Sequence, residues 1–317
     1  MCVIIAGETQ PDTTKLMNIP VVIEGEKYNF FMYINNFDLQ HKTFNTHQKT
    51  FNSNRFYDGF MDSVNDSFGN YASFHSNEDF YSKKSNNNNS IMVVPFPVNP
   101  HTSSSKIGLV DISTDTMKEL RTNIKSLKPI SNSFGLDSMT RQMSYNAKSA
   151  PLEVHKVGNY NISVATSYDQ LLERIDWTKF NKPSNFEQRV NTFRNPHLYP
   201  RQYAYFYVVA SAIDNIKDDG FGIVYPQLTE QLTYLPTAHE DIDSEHKFDV
   251  EMYYFGYDKQ TYFNKDYLHN KLSKLKNQPV KMINNVYKKM DFDKNITSFG
   301  FIEENKIMRN HNIFVKN

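Results

Sequence analysis

The sequence predicts an α+β protein built of predominantly antiparallel sheets with segregated helices. Short apolar or alternating runs recur along the whole chain, which is the period of strands. Helical patterns gather at 113–124, 168–194 and 267–290 and do not alternate with strands as parallel βαβ units require. Glycine-containing dipeptides between paired runs, Gly25-Glu26 and Gly158-Asn159, signal hairpins.

In chain order, Met1-Cys2 and the apolar run Val3-Ile4-Ile5-Ala6, closed by Gly7, read as a short strand buried on both faces. Pro11 to Pro20 reads as a connector, followed by strands at Val21–Glu24 and Tyr28–Ile34. Residues 35–90 change texture to Asn, Ser, His and Lys punctuated by phenylalanines, which marks an insertion ending in the loop tip Ser85 to Ser90. Ile91–Val94 reads as a buried strand. Pro95, Pro97 and Pro100 are expected to stop its ladder, since proline donates no backbone hydrogen bond. Ile107–Ile112 gives another strand, and Ser113 opens a helix to about Ile124 with Asp115 and Glu119 near its positive end. The polar stretch 125–150 separates an N-terminal half, 1–150, from a C-terminal half, 151–317, unless the two form one domain.

In the second half, Leu152–Val157 and Tyr160–Val164 alternate apolar and polar around Gly158-Asn159. Ser167-Tyr168-Asp169-Gln170 and Ser184-Asn185-Phe186-Glu187 are capping boxes that open helices. Tyr203–Ala210 reads as a central strand, with Phe221–Tyr225, Leu232–Leu235 and Phe248–Tyr257 continuing an antiparallel meander. Two lysine-rich helices, Tyr267–Lys276 and Val280–Met290, precede strands at Ile296–Ile302 and Ile313–Val315.

Composition narrows the function classes. The chain has 317 residues with 35 Lys+Arg and 35 Asp+Glu, so the electrostatic footprint of a nucleic-acid binder is missing. A single cysteine excludes an intramolecular disulfide and a cysteine-based zinc cage, so the chain belongs to a reducing compartment or takes its stability from packing alone. No charged N-terminal region leads into a long apolar run, so neither secretion nor a membrane is expected. Cytoplasmic or virion-associated residence is the resulting expectation. Abundant asparagine and an excess of lysine over arginine match the codon bias of AT-rich genomes. Eleven glycines, with no Gly-x-Ser-x-Gly elbow, phosphate-cradling loop or dinucleotide fingerprint, give no cofactor an obvious seat.

Three groups of residues stand out as candidate sites. Phe44, Phe51, Phe56 and Phe60, spaced along the polar insertion, are the side chains with which an arm could dock on a partner protein or pack back on its parent domain. His239, Glu240, Asp243 and His246 form the densest set of metal-competent side chains, although their spacing matches neither a zincin helix nor a calcium loop. A solvated acidic turn explains the same residues. His155, with Glu153 two positions away on the same strand face, is a candidate base with its orienting carboxylate, or an ordinary exposed strand pair.

Removal of Met1 would place a free amine on Cys2, so that one residue holds both nucleophile and base. On residues 2 to 7 the chain resembles the N-terminal-nucleophile hydrolases, with Val3 where their amidotransferase branch has glycine. The resemblance implies an amide or ester hydrolase using Cys2, with His155 as the base if a separate one is needed. Against it stands a non-catalytic binding or structural component of a larger assembly, such as a viral particle, whose partners are other proteins and whose contact arm is 35–90.

Overall fold

Strands dominate because their side chains obey a period of two over long runs, and each face of those runs finds a core. The computed structural model describes residues 13–37, 91–127, 150–180, 182–183, 186–213, 216–228, 232–236, 249–257, 265–304 and 313–316. They belong to one compact unit, Met1–Gln40 with Asn88–Asn317; a second unit, His41–Asn87, lies outside the described residues. The first half contributes β1 (Thr13–Ile23), β2 (Glu26–Phe37), β3 (Ile91–Val98), β4 (Gly108–Val110) and helix α1 (Thr114–Lys125). Next come β5 (His155–Val157), β6 (Tyr160–Ala165), short helices α2 (Tyr168–Glu173) and α3 (Phe186–Val190), then β7 (Ala204–Ala212) and β8 (Ile216–Pro226). The chain continues with β9 (Leu232–Leu235), β10 (Asp249–Gly256), α4 (Lys265–Lys271), β11 (Gln278–Met282), β12 (Tyr287–Phe292), β13 (Ser298–Glu304) and β14 (Ile313–Lys316).

Six strands close into a barrel in the order β12-β11-β4-β8-β2-β1, because β12 pairs back onto β1. The edge of β1 that closes the barrel serves two neighbours. Thr13–Asn18 pair in parallel with Asp249–Tyr254, and Val21–Ile23 pair antiparallel with Met290–Phe292. Pro20 sits at the changeover, where its missing N–H costs no ladder bond, and its carbonyl accepts from the Asp293 N–H at 3.0 Å. Strands β10 and β13 thus extend the sheet sideways from the barrel wall. A four-stranded sheet, β3-β7-β6-β5, and a small ladder of β9 with β14 complete the strands among the described residues.

Alternation decides which core each side chain joins. In β1 and β2, Met17, Ile19, Val21, Phe30, Met32 and Ile34 point into the barrel, where Met117 and Leu120 of α1 and Leu268 and Leu272 of the α4 region join them. Gly108 and Gly222 also face inward; a Cβ on Gly108 would run into Val280, and one on Gly222 would run into the ring of Phe30. The opposite parity, Leu16, Phe31, Tyr33, Phe221, Ile223 and Tyr225, leaves the barrel and meets Phe96, Tyr160, Ile162 and Val208 of the four-stranded sheet. The far face of that sheet is covered by Leu171, Phe180, Phe186 and Phe193 from the α2–α3 region.

Several expectations need correction. The protein is sheet-dominated and not α+β: among the described residues the helices are few and short, α1 and the α4 region packing into the barrel core and α2 and α3 covering the four-stranded sheet. Val280–Met290 is no helix but the β11–β12 hairpin, turned by Asn285 in the left-handed region at φ 63°. Pro11–Pro20 is no mere connector, since β1 begins at Thr13. The prolines of β3 do not end its ladder, which runs to Val98 against β7. Pro95 and Pro97 occupy alternate positions, so both lie on the side of the strand that does not donate to β7. The expected meander also breaks apart, because β7 belongs to the four-stranded sheet, β8 to the barrel, and β10 pairs with β1. The first turn is Glu24-Gly25, with φ of 51° and 83°, one residue earlier than Gly25-Glu26.

Candidate functional site

Strand register gathers Thr13, Phe37, Ile91, Asp249 and Glu304, each bordering a segment outside the described residues, at one end of the scaffold. Thr14 pairs with Asn35 and Asn35 with Asp219, while Phe37 pairs with Ile216 beyond a bulge. Thr13 pairs with Asp249 and Val250 with Glu304. In the neighbouring sheet Ile91 pairs with Ser211 and Tyr160 with Ala212, and β7 passes to β8 through only residues 213–215. Phe37 and Ile91, the stems of 38–90, therefore emerge beside the same short β7–β8 link. Thr13, the stem of 1–12, and Asp249, the stem of 237–248, are direct register partners at that end, and Glu304 before 305–312 is one position away.

A buried polar cluster braces this end. The Asp219 carboxylate, 5% exposed, accepts from Asn159 Nδ2 at 2.6 Å, from the Gly220 N–H at 2.8 Å and from Thr114 Oγ1 at 3.3 Å. One side chain so ties the β5–β6 turn and the start of α1 to β8. Gly158, at φ +53°, supplies the left-handed residue that this turn needs, and the Asn159 carbonyl accepts from the Ile213 N–H at 2.9 Å. Gly220 is required because a Cβ there would collide with the Tyr33 carbonyl, so β2 and β8 approach closely at this point. Beside it Thr14 Oγ1 donates to Asn35 Oδ1 at 3.3 Å, and Asn35 Nδ2 donates to the Tyr33 hydroxyl at 2.6 Å. Burial pushes the Tyr33 phenol up, partly offset by Thr14. Burial also pushes the Tyr160 phenol up, with Tyr33 and Asp219 adding to it, and the Tyr160 hydroxyl has no hydrogen-bond partner among the described residues. A carboxylate with three donors and two phenols held protonated make a rigid clamp, not an acid–base pair.

The expected site residues fare differently. Cys2, Phe44, Phe51, Phe56, Phe60, His239, Glu240, Asp243 and His246 lie outside the described residues. The described residues that border their segments in sequence, Thr13, Phe37, Ile91 and Asp249, lie at this end. His155 is described, and it is buried rather than on an exposed face, at 5% exposure. Its Nδ1 lies 3.5 Å from Lys281 Nζ and 3.6 Å from Glu153 Oε1. Burial lowers its proton affinity, Glu153 opposes this and Lys281 reinforces it. Asn285 Nδ2 donates to Glu153 Oε2 at 3.4 Å, so the pair joins β5 to the β11–β12 hairpin. Among the described residues no three His, Cys, Asp or Glu side chains converge as a metal-binding group, and no helix is long and apolar enough to cross a membrane. Sequence reasoning missed Asp219, Asn159, Asn35 and Thr14. The available signal was polar residues bordering strand runs: Asn35 directly after Ile34, and Asp219 before Gly220.

No protein-family model matches the chain, and no curated relative matches it. Solved structures do. Baculovirus P35 superposes with a TM-score of 0.40 at 11% identity, covering 98% of this chain and 97% of that one. A mutated baculovirus P35 after caspase cleavage gives 0.39 at 11% identity, with 96% and 97% covered. The caspase-8/P35 complex gives 0.38 at 12% identity, with 96% of each chain covered. These similarities correct the resemblance drawn from residues 2 to 7: what the chain matches over nearly its whole length is P35, not an N-terminal-nucleophile hydrolase.

Proposed function

We propose that the protein is a non-catalytic, protein-binding component whose closed β scaffold presents residues 38–90 to a partner, with Phe44, Phe51, Phe56 and Phe60 as the contact side chains. The observation that carries this reading is the placement of Phe37 and Ile91. Both stems lie within hydrogen-bonded strands beside the β7–β8 link, above the Asp219 clamp. Such a frame fixes where a 53-residue segment leaves and returns, which lowers the ordering cost of binding. The finer reading makes the partner another protein of a larger assembly, such as a viral particle.

Two variants of the full chain test the reading: replacement of 41–87 by a Gly/Ser linker, and Phe44, Phe51, Phe56 and Phe60 changed together to Ala. Caspase-8, the partner in one of the compared complexes, is the first defined probe, followed by the purified proteins of the source particle. Partner binding measured by interferometry is expected to disappear in both variants while their thermal unfolding stays that of the scaffold. Undiminished binding to every partner by both variants would refute the reading. Co-sedimentation of the unaltered protein with intact particles separates a resident of the assembly from a free binding protein.

A further inference from the structure

His155 stands at a seam between the four-stranded sheet and the barrel, and what it does there is independent of the partner proposed for 38–90. Its strand, β5, is the last of the four-stranded sheet, and among the described residues its one ladder neighbour is β6. The contact across the seam comes from β11. Val280 and Met282 of that strand fill the barrel, so Lys281 and Ile283 take the opposite parity. Ile283 packs against the core that holds Val157 of β5, and Lys281 reaches the His155 ring.

One ring nitrogen faces two opposed partners. Nδ1 of His155 is 3.5 Å from Lys281 Nζ, an ammonium that only donates, and 3.6 Å from Glu153 Oε1, a carboxylate that only accepts. A neutral ring with its proton on Nε2 leaves Nδ1 to accept from Lys281, which joins β5 to β11. A protonated ring carries a proton on Nδ1, donates to Glu153 instead, and sets an imidazolium beside the Lys281 ammonium. The same proton thus turns the contact between sheets from attraction into repulsion and moves the ring's bond to a residue of its own arm. Glu153 and Lys281 are the charged groups acting on the ring, while Ile162, its register partner on β6, is apolar. Burial holds the ring neutral, Glu153 opposes this and Lys281 reinforces it. Glu153 is 54% exposed, so solvent weakens its pull on the proton.

We infer that His155 is an acid-operated latch: on protonation it releases Lys281, and β5 with the β5–β6 turn parts from the β11–β12 hairpin. The folded ring binds a proton less readily than the unfolded one. The latch is therefore fully closed above the ordinary imidazole range, about 6.5, and opens as pH falls through the lower folded value. Asn159 of the same β5–β6 turn holds Asp219 at 2.6 Å, so the opening bears on the polar clamp as well.

The test uses the full chain and needs no partner. The His155 ring is followed by NMR through a pH titration, and amide hydrogen exchange is measured at about pH 7.5 and about pH 5, corrected for the intrinsic change in exchange rate. Protection of His155–Val157 and of the β11–β12 hairpin is expected to fall roughly tenfold on acidification, while that of β1 and β2 stays. His155→Gln, uncharged at both values, should lose this pH dependence while keeping the thermal unfolding of the unaltered protein at neutral pH. Lys281→Met should raise the midpoint of the ring and blunt the acid loss of protection, whereas Glu153→Gln should lower the midpoint. Equal protection at both pH values in the unaltered protein, or the same fall in His155→Gln, would overturn the inference. A ring midpoint left in place by Lys281→Met would overturn it too.

Discussion

Phe96 joins the barrel to the four-stranded sheet, and its removal tests whether they act as one scaffold. The ring is fully buried, 5.1 Å from Phe31 of β2 in an edge-to-face contact and 4.8 Å from Tyr225 of β8. Truncation to Ala removes a whole aromatic side chain from a packed core, which costs about 3 to 5 kcal/mol. With unfolding entropy scaling as about 2.1 cal/mol/K per residue, a loss of ~4 kcal/mol lowers Tm by roughly 6 °C for a chain of this length. Chemical denaturation followed by both tyrosine fluorescence and circular dichroism is the assay, because coincident transitions report one cooperative unit. A double-mutant cycle with Phe31→Leu and Phe96→Leu should return a coupling of about 0.5 to 1.5 kcal/mol for the ring pair. A loss below about 1 kcal/mol, or a Phe96→Ala protein whose two probes separate into distinct transitions, would refute the view that Phe37 and Ile91 are held by a single frame.

Three further outcomes follow from the clamp and its surroundings. Tyr160→Phe removes a buried hydroxyl without a partner and should stabilise the protein by about 1 kcal/mol in urea unfolding; a loss of that size would mean that the hydroxyl is satisfied in solution. Gly220→Ala drives a methyl group into the Tyr33 carbonyl and should cost more than about 3 kcal/mol, seen as a steep fall in Tm. Burial raises the Glu251 carboxyl, but Lys125 at 2.8 Å, Tyr253 and Arg121 overcome this and hold it below the ordinary carboxylate range. Its folded value is therefore below its unfolded one. The contribution is complete above the unfolded carboxylate range and is lost as pH falls through the folded value. The stability difference between the unaltered protein and Glu251→Gln should accordingly be greatest at neutral pH, of order 1 kcal/mol, and vanish in acid; a constant difference across the titration would contradict this.

How far the sequence reads true depends on whether its signals are local. Gly158-Asn159 turns β5 into β6 as expected, because the left-handed residue and the flanking alternation lie within ten positions. Ser113 and Ser167 cap α1 and α2, each accepting from the N–H three residues on. Gln170 departs from the capping box, since it accepts from Thr166 rather than reaching the Ser167 N–H. The 280–290 stretch misled for a physical reason. Val280, Ile283, Tyr287 and Met290 fall at helical spacing, yet Val280, Met282 and Met290 are the residues that the barrel buries, while Tyr287 is left in solvent.

The sequence by itself determined where many strands lie, where two helices begin, and that a polar, phenylalanine-bearing segment interrupts the first half. Tertiary structure alone decided that the barrel closes, through Ile23 opposite Met290, and that β1 runs parallel to β10. It also decided that Thr13, Phe37, Ile91 and Asp249 share one end. Turns, caps and periodicity involve a few neighbouring residues and can be read along the chain. Sheet order and closure depend on pairings hundreds of residues apart, chosen by which registers bury both faces at once.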